Sequence, residues 1–145
     1  MDIKLRKYGE TDLDDVLSAW ENASHVGHPF LTKTFIASEK DNVANMYMPN
    51  ANSWVAVDQN RVVGFISMVG NEVGGLFVQP AYHGRGVGWT LMNKAQKNHG
   101  DLEVEVFEKN AIGRKFYERY GFELIETKMH EETSNRLLRL KFIAG

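Results

Sequence analysis

The chain divides by texture. Over the first fifty residues apolar positions recur at helical spacing, and from residue 53 onward short apolar runs alternate with polar turns. Residues 3–8 alternate and predict a strand. Leu13, Val16, Leu17 and Trp20 fall at i, i+3, i+4 and i+7 on one helical face. Thr11, Asp12 and Asp14 supply an oxygen-bearing cap and first-turn acids for that helix, and the Gly27–Pro29 break places its end near Ser24. A second helix is predicted from about Thr32 to Tyr47, with Phe35, Ile36, Val43, Met46 and Tyr47 as its stripe. Trp20, Met46 and Trp54 read as core. Runs 53–57 and 62–69 predict two strands joined at Asp58-Gln59-Asn60, and 73–78 a third, ended by Pro80. A helix is predicted over 86–99, an alternating strand over 102–106, and a helix over 111–120 with Gly121 as its C-cap. Strands near 122–128 and 136–142 close the chain. The intervening helix 86–99 calls for a parallel pair. The expectation is a single α/β domain over 1–145 with a mixed sheet of about seven strands and about four helices.

Composition narrows the function. The 145 residues suit one domain, and 43% apolar with 25% charged residues is ordinary for a folded globular chain. Lys and Arg total 17 against 19 Asp and Glu, for a net charge of −2, so no nucleic-acid partner is expected. No apolar run approaches a membrane span, and Met1–Arg6 lacks a signal-peptide block. The expected location is cytoplasmic, away from membranes. With no Cys, disulfides, Cys-bound zinc and thiol nucleophiles are excluded. His25, His99 and His130 have no ligand spacing, so no metal is expected.

The most informative stretch is Leu76-Phe77-Val78-Gln79-Pro80-Ala81-Tyr82-His83-Gly84-Arg85-Gly86-Val87-Gly88. A strand runs into a Gly-rich loop that opens a helix. Glycines let backbone N–H groups turn inward, the helix N-terminus adds partial positive charge, and Arg85 can add a full one. A pyrophosphate is the natural guest. Taken alone, the segment also fits a bare turn. A dinucleotide fingerprint lacks its third Gly, because Trp89 stands there, although Glu105 sits near the distance of a ribose-binding acid. A P-loop is ruled out by the missing Lys-Ser/Thr pair. A coenzyme A pyrophosphate site is a further reading beside the bare turn and the dinucleotide fingerprint.

His83-x-x-Gly86-x-Gly88 resembles the Gln/Arg-x-x-Gly-x-Gly/Ala signature of the GCN5-related N-acetyltransferases, with His83 where the family pattern has Gln or Arg. Asn110-Ala111-x-x-x-x-Phe116-Tyr117-x-x-x-Gly121-Phe122 resembles the family's second segment, in the right order and with a strand between. The likeness is to small bacterial members, among them ribosomal-protein alanine acetyltransferases and lysine or small-amine acetyltransferases. It implies a sheet splayed between strands 73–78 and 102–106, acetyl-CoA as cosubstrate, and direct attack by an amine acceptor in a ternary complex.

It also implies site residues. His83, Gly84, Arg85, Gly86, Val87, Gly88 and Trp89 would hold the pyrophosphate end, Asn110 the pantetheine arm, and the amides of Phe77 and Val78 the carbonyl oxygen. Tyr117 would protonate the leaving thiolate, and Glu105 would be the general base through a water. His28 and Phe30 would line the acceptor pocket, and a homodimer is left open. Two rival classes stay in view: a non-catalytic acyl-CoA sensor and a nucleotide-binding module.

Overall fold

The structure is a computed structural model and describes residues 2–145. Seven strands, β1 (Lys4–Lys7), β2 (Asn52–Asp58), β3 (Arg61–Val69), β4 (Glu72–Val78), β5 (Leu102–Phe107), β6 (Glu123–His130) and β7 (Asn135–Phe142), form one sheet in the order β1-β2-β3-β4-β5-β7-β6. Gln59 and Asn60 at φ 51° and 67° make the tight turn between β2 and β3, whose twist suits antiparallel strands. Neighbours are antiparallel except β4 and β5, the pair bridged by the helix Val87–His99. The parallel ladder consists of Glu72 opposite Glu103 and Val73 opposite Val104. Beyond those rungs the strands part, which is the expected splay. The sheet is also irregular there: Met68 faces Val73 while Ser67 faces Gly75, leaving Gly74 as an extra residue. The chain order does not give the place of β7, which lies between β5 and β6 and covers the β5 edge.

Four helices cover the two faces. α1 (Leu13–Gly27) and α2 (Lys33–Asn42) pack Val16, Trp20 and Ile36 onto Val55 and Phe65. α3 (Val87–His99) and α4 (Ala111–Tyr120) pack Leu91, Met92 and Tyr120 onto Ile66, Val104 and Val106. Each such large apolar side chain contributes about 1.5–3 kcal/mol by leaving water, so β3, buried on both faces, is the spine of the molecule. Among the described residues no helix is long and apolar enough to cross a membrane.

Two helix expectations need correction. α1 continues past Ser24 to Gly27, with the His28 N–H donating to the Ser24 carbonyl at 2.7 Å. Pro29 sets the stop, because a proline restricts the residue before it. α2 passes into a π turn at Val43–Tyr47 and a last turn at Met48–Asn50. The wider turn rotates the following side chains, so Met48 takes the core place expected for Met46, which is 55% exposed. Tyr47 is exposed for the same reason.

Candidate active site

The site begins where β4 loses its partner. The Gln79 N–H donates to the Val63 carbonyl at 2.8 Å, so Gln79 and, by the two-residue alternation, Phe77 face β3. Leu76 and Val78 therefore turn their N–H and C=O groups into the split. The Val78 carbonyl confirms the direction, since it pairs with His83 Nε2 at 2.9 Å rather than with β3. Of the two amides expected to face the carbonyl oxygen, that of Phe77 belongs to the ladder and that of Val78 to the split. Leu76 supplies a second free amide that sequence reading missed, because strand parity is set by the pairing and not by residue type. The Phe77 ring stacks on Phe65 at 5.6 Å.

The loop after β4 carries the glycine geometry an anion needs. Gly84 and Gly86 adopt φ +77° and +83°, left-handed values that favour glycine. Gly86 is the N-cap of α3 and no side chain caps this helix, so the first-turn N–H groups of Val87, Gly88 and Trp89 keep their donor capacity. Gly88 serves closeness: a Cβ there would stand 3.3 Å from Phe116 Cε2. Trp89 packs against Tyr120 at 4.7 Å and Phe116 at 6.2 Å, on α4 rather than on the sheet. Arg85 lies over the Tyr82 ring at 5.5 Å and is not among the residues lining the cavity.

That cavity, about 520 Å³, runs from the loop along Leu76–Val78 to the ends of α1 and α4. Asn110 is the N-cap of α4 rather than a residue within the helix. Its Oδ1 accepts from the Gly113 N–H at 3.0 Å, which orients the amide so that Nδ2 donates to His28 Nε2 at 3.2 Å. Two glycines make room for it, since a Cβ on Gly27 or Gly113 would stand 3.1 Å from Asn110 Oδ1 or 2.6 Å from Nδ2. His28 thus accepts at Nε2 and carries its proton on Nδ1. Burial pushes its pKa down to about 4, so it is neutral at physiological pH.

Tyr117 lines the same cavity and is 8% exposed. Its ring is held by Phe116 and Phe122, and burial pushes the hydroxyl pKa up, so the phenol stays protonated. Glu105 stands elsewhere. It does not line the cavity, and its Oε2 accepts from Arg139 Nη1 at 3.0 Å and pairs with Lys128 Nζ at 2.5 Å. Arg139 also binds Glu103 at 2.8 Å and Glu72 at 3.1 Å. One guanidinium therefore joins β4, β5 and β7 at the base of the split. Phe30 also lies off the cavity, packed on Phe107 at 5.4 Å and on His28 at 5.8 Å.

Residues 49–124 match the acetyltransferase (GNAT) domain family. The chain is 31% identical over 130 residues to the peptidyl-lysine N-acetyltransferase YiaC of Escherichia coli K12, with 89% of each chain covered. It superposes on the solution structure of apo YjaB from Escherichia coli with a TM-score of 0.88, at 26% identity and full coverage of both chains. A likeness of fold extends to a PaiA N-acetyltransferase from Thermoplasma acidophilum in complex with coenzyme A, with a TM-score of 0.78, 21% identity, and 98% and 100% of the two chains covered.

Proposed function

This chain belongs to the GNAT acetyltransferases, and on that premise we propose that it acetylates the ε-amine of lysine side chains in peptides or proteins by direct attack within a ternary complex. The acetyl donor is acetyl-CoA, which supplies the thioester. The observation that carries the reading is the cavity at the β4–β5 split, which is lined both by β4 residues with free backbone donors and by a protonated phenol. The relatives named peptidyl-lysine N-acetyltransferases support lysine as the acceptor.

The residues fit such a donor. Val87, Gly88 and Trp89 present N–H groups to a pyrophosphate, with Gly84 and Gly86 shaping the loop. His83 acts through its bond to Val78, which fixes the end of β4. The Leu76 and Val78 amides face the split and donate to a carbonyl oxygen gaining charge. The Tyr117 hydroxyl donates a hydrogen bond to the departing sulfur. With its pKa raised above that of an ordinary phenol, and thiols near 8.5, full proton transfer from it runs uphill. Its part is to stabilise the thiolate until solvent protonates it. Asn110 and neutral His28 hold the end of α1 against α4, and His28 and Phe30 shape the acceptor side.

Amine deprotonation is assigned to Glu105 through water. Its Oε2 holds both cations, and among the described residues Oε1 has no hydrogen-bond partner. The test is thiol release from acetyl-CoA with a panel of acceptors: an Nα-blocked lysine peptide, the same peptide with arginine, a free N-terminal peptide and a polyamine. Turnover is expected with the blocked lysine peptide and lost with arginine; turnover confined to the polyamine or the free N-terminus would overturn the lysine assignment. In the same assay Glu105→Gln should lose most activity below the amine pKa and least above it. A pH-independent loss would reduce Glu105 to a positioning residue.

A further inference from the structure

We infer that Lys128 is an internal acceptor: its Nζ takes the place on Glu105 that an acceptor ammonium would take, and it is acetylated there from acetyl-CoA when no other amine is supplied. The inference rests on the reading of Glu105 as the group that receives the amine proton. Lys128 belongs to β6 and Glu105 to β5, with β7 between them. Two strand spacings, roughly 10 Å, separate their backbones. The lysine nonetheless lies inward across β7 and pairs with Glu105 Oε2 at 2.5 Å, although Arg139 Nη1 already donates to that oxygen at 3.0 Å. Its side chain is 47% exposed, so the amine is free to leave the carboxylate and return.

That carboxylate stands level with the split. Glu105 is one residue beyond the last parallel rung, Val73 opposite Val104. On β4 the extra Gly74 intervenes, which brings Gly75 and Leu76 to the same height, and the Leu76 amide is one of the two that face the split. Glu105 and Phe107 share a face of β5, and Phe107 packs at 5.3 Å on His28, which lines the cavity. Transfer forms a bond between Nζ and the acetyl carbon, breaks the C–S bond, and releases coenzyme A as the thiolate, which solvent protonates. Nζ loses one proton to Glu105 before attack and a second to solvent as the amide forms. The acetylated side chain is neutral and gives up the carboxylate. Its hydrogen bond to Glu105 holds the Lys128 pKa above the ordinary lysine value, with Arg139 opposing, so the step is slow beside turnover of an external acceptor.

The test incubates the full chain with acetyl-CoA carrying a trideuterated acetyl group, without an acceptor, and follows each lysine by peptide mass spectrometry. Lys33 and Lys97, exposed on α2 and α3, report plain chemical acetylation. Lys128 is expected to take up label about tenfold or more faster than either. Its rate should be independent of protein concentration and slowed by the Nα-blocked lysine peptide. Glu105→Gln and Tyr117→Phe should each bring Lys128 down to the reference rate, with melting curves to confirm that both fold. Chemical acetylation predicts the opposite for Glu105→Gln, because an ammonium released from its carboxylate is easier to deprotonate. Labelling of Lys128 no faster than the reference lysines, faster in Glu105→Gln, or rising with protein concentration would each overturn the inference. Peptide acetylated while Lys128 stays unlabelled sinks the inference alone. Peptide turnover indifferent to Glu105→Gln sinks the reading of Glu105 beneath it as well.

Discussion

The Tyr117 hydroxyl has its packing and its chemistry on different atoms. The ring is fixed by Phe116 and Phe122, at centroid distances of 5.5 and 5.4 Å, while among the described residues the hydroxyl has no hydrogen-bond partner. Tyr117→Phe therefore leaves the packing intact and removes only a donor. The melting temperature and the acetyl-CoA Kd should change little, and kcat should fall by about 10²–10³. Near-unchanged kcat under saturating substrates would remove the hydroxyl from the reaction. At this scale the sequence was readable where residue type decides the outcome. A tyrosine seven positions after an asparagine does reach the same cavity as that asparagine. Arg85 was not readable in that way, because a flexible cation beside an aromatic ring can leave an anion loop for the ring.

At the scale of elements, the start of α3 depends on Gly86 in a left-handed conformation. A Cβ added there meets nothing within 4 Å, so the cost of Gly86→Val comes from the backbone angle and not from a clash. The loop must change course to relieve about 1–2 kcal/mol of strain, and the first-turn N–H groups turn with it. Calorimetry should show acetyl-CoA binding weakened about tenfold or more, with the far-ultraviolet circular dichroism spectrum retained. Unchanged affinity in a folded variant would move the pyrophosphate elsewhere. The glycine loop and its helix were legible because φ > 0 leaves a compositional mark. The π turn that displaces Met46 left none, and the Gly74-Gly75 pair marks the irregularity in β4 without giving its parity. Both shift side chains or backbone parity by a single residue, and that is how the Leu76 amide escaped notice while Phe77 was favoured.

For the molecule as a whole, the buried imidazole of His28 links folding to pH. Its pKa is pushed from 6.5 to about 4 in the folded chain. Between those values the unfolded chain binds a proton that the folded one refuses, so stability is full above about pH 6.5 and falls as pH drops toward 4. The loss is on the order of 3 kcal/mol. Urea unfolding at pH 7.0 and at pH near 4.5 should show this slope flattened in His28→Phe, and an unchanged slope would assign the linkage to other groups. The parted strands β4 and β5 have a consequence of another kind. Two rungs and the Arg139 guanidinium are what the sheet itself offers across its middle, so the molecule is a pair of half-sheets meeting at a seam. A ligand lying in that seam and bonding to the idle Leu76 groups and the Val78 amide takes the position of a missing strand. The cohesion of the two halves is then partly lent by the donor substrate, and each turnover, as it releases the product, returns the protein to its more loosely joined form.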